Sequence, residues 1–372
     1  MKKVLMIASV DFHFTAFHIP YIEYMKNRGI KVHIAAKSGE RTRDLEALGV
    51  VFHNIDFVRS PYSPKLITAY FQLKDLMSKE SYDLVHVHTP VAAFLGRLAA
   101  KKTGTRPVIY TAHGFHFYKG ASLFNWLIYY PMEKIAARWT DGLILINGED
   151  YNRAKDFPLR DKEGCFYVNG VGVPVDKYGP PKDLDKSHHK EKLGFRKEDK
   201  LLLCIGEFTK NKNQKQIIDA MARVEDKNIH LLFVGDGELM AELKSYVLNL
   251  NLSDNIHFLG YRRDIPEILH ISDAFILTSR REGLPRAMME AMVGGLPIIT
   301  TDIRGNRDLV QGGTNGLLIH IDDIEETTKA IKRLMEDEKL RMDMGNKSQI
   351  IIRDFSVDAI IGKMKEIYER YI

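Results

Sequence analysis

The chain has 372 residues, 45% of them apolar and 28% charged, a balance that excludes a disordered or low-complexity protein and suits two folded domains. Its net charge of +5 is unevenly placed: residues 1–175 carry 23 Lys and Arg against 16 Asp and Glu, and the remainder 31 against 33. Two cysteines, Cys165 and Cys204, stand far apart in apolar surroundings, which argues against a disulfide framework and for reduced core thiols of a cytoplasmic protein.

The opening run to Ser9 has only about six apolar residues before Asp11 and His13, so it reads as a first buried strand and not as a signal peptide. No stretch reaches the roughly 20 apolar residues that span a bilayer. A basic first half fits contact with an anionic surface or acceptor, and equally a solvated face of scattered lysines.

Strand-like runs at Lys3–Ser9, Lys31–Ala35, Val50–Phe57, Asp83–His88, Pro107–Ala112 and Asp141–Ile146 alternate with helical patterns. Such alternation predicts a parallel sheet covered by helices, with its ligand crevice at the carboxyl ends of the strands. The loop after the first strand, Asp11-Phe-His-Phe-Thr15, has no glycine, which weighs against a dinucleotide-binding enzyme. His86 and His88 point to one face of their strand, but no third ligand is suggested nearby, so no metal site is expected and His88 reads as a wall residue. His113, at a strand end and followed by glycine, is placed to reach into the crevice, and His116 follows it.

Residues 122–139 are rich in aromatics beside Lys119, Lys134 and Arg138, a composition for a membrane interface, a lipid-linked acceptor or a core helix. From Gly170 to Lys200 the pattern dissolves into Gly, Pro, Asp and Lys, marking a linker and a boundary near residue 175. Strand runs resume at Lys200–Gly206, Ile229–Gly235, Ile256–Gly260, Asp273–Thr278, Pro297–Thr301 and Gly316–His320, with helices at about residues 323–336 and Ser356–Tyr371.

The most informative stretch runs from Ser279 to Glu290. A buried strand ends there and a helix starts, with Pro285 suited to the first helical position and Gly283 and Leu284 in the approach loop. Free N–H groups at such a start bind phosphate oxygens, and carboxylates such as those of Glu282 and Glu290 accept hydrogen bonds from paired hydroxyls, an arrangement that matches a diphosphate between two sugars and equally an ordinary capped helix with two surface glutamates.

Glu282-x7-Glu290, followed by Gly294-Gly295-Leu-Pro-Ile-Ile-Thr-Thr-Asp302 and Gly305, resembles the signature of retaining glycosyltransferases of family 4 with the GT-B fold. Pro90–Ala100, Tyr110–Phe117 and Asn125–Pro131 resemble the EpsD-like capsule and exopolysaccharide branch of that family. The resemblance implies an α/β protein with two Rossmann-like, doubly wound parallel-sheet domains facing across a cleft. Residues 1–175 would bind the acceptor and 176–352 the nucleotide sugar, and 353–372 would form a helix crossing back to the first domain. It further implies that Glu282 and His113 contact the donor sugar, Glu290 the ribose, Lys212 the diphosphate, and the backbone around Tyr261 and Arg262 the base. His116 would then face the acceptor.

One departure stands out. The family usually has Arg directly after the glycine that this chain places at 206, but here Glu207 follows, so either Lys210, Arg262 or Arg286 takes over part of its work or the diphosphate relies on Lys212 and the helix N-terminus. The implied front-face displacement uses the leaving phosphate as the base, so neither metal nor cofactor is expected. The expected activity is transfer from a UDP-sugar to a lipid-linked, undecaprenyl-type glycan at the inner face of the cell membrane. The alternatives are a nucleotide-sugar 2-epimerase of the same fold and a non-catalytic sugar-nucleotide-binding component of a polysaccharide assembly complex.

Overall fold

The computed structural model describes residues 1–58, 63–181 and 185–372. Of the expected linker, residues 182–184 lie outside the described set; short helices at Val175–Tyr178 and Lys186–Lys192 flank them. The chain divides into two compact units, Met1–Gly172 with Val357–Ile372, and Val173–Ser356.

The first unit is a seven-stranded sheet: β1 (Lys3–Val10), β2 (Lys31–Lys37), β3 (Val51–Asn54), β4 (Leu84–His88), β5 (Val108–Ala112), β6 (Gly142–Leu145) and β7 (Cys165–Tyr167), ordered β3-β2-β1-β4-β5-β6-β7. Every pairing is parallel. The middle strands are buried on both faces, so β1 and β5 read as near-continuous apolar runs, while β4 alternates Val with the buried His86 and His88. The chain winds outward from β1 to β3 and then returns to β4 on the other side of β1, so the connections diverge between these two strands. The edge strand β7 is absent from the sequence reading because three residues are too few to show a period.

The final helix, Val357–Tyr371, packs Ile360, Met364, Ile367 and Tyr368 into the first unit's core beside Val4, Met6 and Tyr21. That spacing is one helix face. Tyr368 reaches the sheet itself, its hydroxyl 2.9 Å from Nδ1 of His86.

The second unit repeats the design with six parallel strands: β8 (Lys200–Ile205), β9 (Ile229–Val234), β10 (Ile256–Phe258), β11 (Ala274–Leu277), β12 (Ile298–Thr301) and β13 (Gly316–Ile319), ordered β10-β9-β8-β11-β12-β13. Here the divergence falls between β8 and β11. A helix at Glu338–Ile351, not expected from the sequence, follows the predicted one at Ile324–Glu336. Among the described residues no helix is long and apolar enough to cross a membrane.

Candidate active site

Where strand order reverses, adjacent loops leave in opposite directions and open a crevice at the carboxyl edge of the sheet. In the second unit the loop after β8 and the loop after β11 meet at that place. They are stitched by backbone and side-chain hydrogen bonds: Arg280 N donates to Asn211 O at 2.8 Å, Asn211 Nδ2 to Arg281 O at 3.0 Å, and Thr278 Oγ1 to Asn213 O at 2.9 Å. Asn213 adopts a left-handed φ of 53°, turning the chain directly into the helix Gln214–Met221. Its side chain is tied in turn to Gln216 and Asp322.

This stitching brings Lys212 Nζ to 2.6 Å from Glu282 Oε1, both side chains partly buried. The arrangement is a cation and a carboxylate held by rigid neighbours at one spot, an arrangement able to face a diphosphate with one and sugar hydroxyls with the other. A third loop supports them: Arg304 Nε donates to Glu282 O at 3.3 Å. Gly305 lies under Gly283 so closely that an added Cβ would stand 2.3 Å from the Gly283 carbonyl oxygen.

Pro285 precedes the helix instead of opening it: its extended ψ of 112° makes it the cap residue, and the helix is Arg286–Val293. Glu290 is buried on that helix, one turn beyond Arg286, whose Nε donates to Glu290 Oε1 at 3.0 Å. Tyr178 lies against the same carboxylate; burial first and Glu290 second push its hydroxyl up to about 12. Arg262 forks onto Asp264, with Nε to Oδ1 at 2.8 Å, which commits its charge locally, while the neighbouring Tyr261 ring is 75% exposed. Glu207 and Lys210 are exposed. Cys204 is buried below Lys212, and burial pushes its thiol up to about 12, as expected of an inert core cysteine.

The corresponding place in the first unit carries histidines. His13 lies on the short helix Phe12–Phe17, His18 on the corner before the helix Ile19–Asn27, His88 at the end of β4, and His113 just beyond β5. One nitrogen from each falls within 4.8 Å of the others. The expectation that no further ligand accompanies His88 is therefore corrected: three more imidazoles surround it. The missed residues, His13 and His18, stand in and just after the loop that drew attention only for lacking glycine. His86 does share a face with His88, at 4.0 Å between ring centroids, but both its nitrogens are satisfied, by Tyr368 and by Thr111 at 2.8 Å. His113 keeps part of its surface exposed while Nε2 is enclosed, and burial lowers its imidazole to about 4. His116 stacks on Tyr129 at 4.7 Å.

Known proteins resemble the chain along its whole length. Residues 3–147 match the family described as glycosyl transferase 4-like, and residues 185–350 that described as glycosyl transferases group 1. The whole chain is 38% identical to the Bacillus subtilis glycosyltransferase EpsD and covers 97% of it. The chain belongs to the group 1, family 4-like glycosyltransferases. This glycosyltransferase is also 33% identical, over 84% of each chain, to the Escherichia coli UDP-Gal:alpha-D-GlcNAc-diphosphoundecaprenol alpha-1,3-galactosyltransferase. Its fold matches Anabaena HepE, solved with UDP, at a TM-score of 0.82 and 21% identity with both chains fully covered, which establishes the GT-B fold.

Proposed function

We propose that the enzyme is a retaining transferase that moves a sugar from a UDP-sugar to a lipid-linked glycan in capsule or exopolysaccharide synthesis. The observation that carries this reading is the Lys212–Glu282 pair, 2.6 Å apart, at the point of the second sheet where strand order reverses. An arriving diphosphate competes with Glu282 for the Lys212 ammonium and frees the carboxylate for sugar hydroxyls. Glu290 takes the ribose, Gly283 and Leu284 offer backbone N–H groups to the phosphates, the exposed Tyr261 and the backbone of Arg262 receive the base, and His113 serves the sugar.

In the step itself the bond from the sugar's anomeric carbon to the diphosphate oxygen breaks, and a bond to the acceptor oxygen forms on the same face. The acceptor proton passes to the leaving phosphate, giving UDP and the extended glycan. Charge on the departing diphosphate is met by Lys212 and backbone donors, so the reading predicts equal turnover with and without added magnesium or manganese. The E. coli relative's name supplies both the UDP-linked donor and the diphosphoundecaprenol acceptor class.

A lipid-linked acceptor requires an approach to a membrane. The helix Leu123–Ala137 exposes Leu123, Phe124, Leu127 and Ile135 on the side that also carries Lys134, with Arg138 just after its end. Apolar and basic groups so combined suit an anionic leaflet, and the reading places the enzyme on the inner face of the cell membrane.

The experiment is a mass-spectrometric screen of nucleotide sugars with an undecaprenyl-diphosphate monosaccharide as acceptor. The expected product is an acceptor heavier by one sugar with the donor's anomeric configuration. An inverted product rejects the retaining mechanism, and an epimer formed without acceptor favours the epimerase. Donor binding with no transfer to any lipid acceptor favours the non-catalytic component.

A further inference from the structure

The histidine cluster of the first unit has chemistry that glycosyl transfer does not use. His13 and His18 meet Nε2 to Nε2 at 3.0 Å, so one of these two nitrogens donates and the other accepts. Beyond that contact, Nδ1 of His18, both nitrogens of His88 and Nε2 of His113 are buried with no hydrogen-bond partner. A buried polar atom left unpaired costs about 1–3 kcal/mol, and because a neutral imidazole carries one lone-pair nitrogen and one N–H, His18, His88 and His113 can each turn one unpaired lone pair to a shared ligand. The contrast with His86, one step lower on the same strand and bonded through both nitrogens, shows that the fold satisfies an imidazole where no ligand is required.

We propose that His13, His18, His88 and His113 bind a divalent transition-metal ion of borderline softness, zinc(II) foremost. Nitrogen donors select such an ion over magnesium or calcium, which take oxygen ligands. Burial and the mutual repulsion of the histidines favour neutral rings, the form that ligates. Four nitrogens about 2.1 Å from one zinc stand about 3.4 Å apart in a tetrahedron. The four here are already within 4.8 Å of one another, so small rotations of the rings close the shell. Only one nitrogen of each ring is required, and His113 keeps the other for the sugar.

The ion ties three separate segments together: the corner between the helices Phe12–Phe17 and Ile19–Asn27, the end of β4, and the turn after β5. It therefore fixes the crevice of the first unit and stabilises that unit in proportion to its occupancy.

The test uses full-length, untagged protein. Wild type equilibrated with zinc and then passed over a weak chelating resin is expected to retain about one zinc per chain by elemental analysis. Cobalt(II) in its place is expected to give the intense visible bands of a tetrahedral nitrogen site. His18→Gln and His88→Gln, checked for folding by circular dichroism, are expected to lose at least about ten-fold in zinc affinity, while His116→Gln keeps wild-type binding. Where a ligand variant does not fold, a zinc-dependent rise in the wild-type melting temperature carries the same information. Wild type that retains no zinc and melts at the same temperature with and without it overturns the proposal, leaving water as the occupant. Folded ligand variants that bind as wild type does also overturn it.

Discussion

The two sheets reverse strand order at equivalent places, between β1 and β4 in the first unit and between β8 and β11 in the second, yet they furnish those places oppositely. The first gathers imidazoles that burial holds neutral. The second gathers charges in close pairs: Lys212 with Glu282, Arg286 with Glu290, and Arg280 with Asp322 at 2.6 Å. The winding of a doubly wound sheet thus decides where a ligand is received. The side chains on the loops decide its kind, imidazole lone pairs suiting a cation of borderline softness and fixed charges suiting a phosphate and its sugar.

The largest test of this contrast is Lys212→Ala. Turnover is expected to fall by about 100- to 1,000-fold, the usual cost of removing one donor from a developing negative charge. The melting temperature should scarcely move, because a partly exposed ion pair contributes only about 0–1 kcal/mol to stability. Normal turnover in steady-state kinetics would detach the charged crevice from the chemistry altogether.

The charged crevice was largely legible in the sequence, because its parts announce themselves locally: an apolar run of strand length, a loop with Gly283, and a helix carrying Glu290. Fold class was equally legible, since the strands alternate with helices at short range. The histidine cluster was not, because its members come from three segments, and only the placing of β4 and then β5 beside β1 joins them. The helix Glu338–Ile351 escaped for another reason. Its buried face is Met344, Gly345 and Ser348, too little apolar surface to leave a stripe. Pro285 shows a boundary error of one residue, since proline suits a helix cap with extended ψ as well as the first turn.

Two smaller effects sharpen the picture of how the charged crevice is held. Gly305 has a φ of +81° and no room for a Cβ against Gly283, whereas Gly313, at +79°, has open space around it. Gly313→Ala should cost about 1 kcal/mol from left-handed strain alone, and Gly305→Ala more than about 2 kcal/mol, read by chemical denaturation. Equal costs would mean that the loop under Glu282 yields freely and does not position it. Glu290→Ala should weaken UDP binding by about 10- to 100-fold, whichever sugar is attached, as expected for lost hydrogen bonds to a charged group. Calorimetry showing unchanged UDP affinity would remove Glu290 from the ribose.

The smallest effect concerns acid and a buried histidine of the first unit. His33, on β2, is buried against Tyr82, whose hydroxyl is 3.0 Å from His33 Nδ1, and against His53, also at 3.0 Å. Burial, reinforced by His53, lowers its imidazole from the ordinary 6.5 to about 4. Above pH 6.5 the ring is neutral in the folded and unfolded chain alike, and it leaves stability independent of pH. Between pH 6.5 and about 4 the unfolded chain takes up the proton and the folded one does not, so acid favours unfolding across that window and no further below it. The first unit should therefore lose stability as pH falls from 6.5 towards 4, and His33→Gln should make that slope shallower by its own share in melting curves taken at each pH. In the second unit burial lowers His257 in the same direction, whereas the carboxylate of Glu326 raises the exposed His320 above its ordinary value, which gives the opposite sign at that residue. A first unit that melts with the same pH dependence in wild type and His33→Gln would show that β2 tolerates a charged imidazole, and that burial there does not hold the ring neutral.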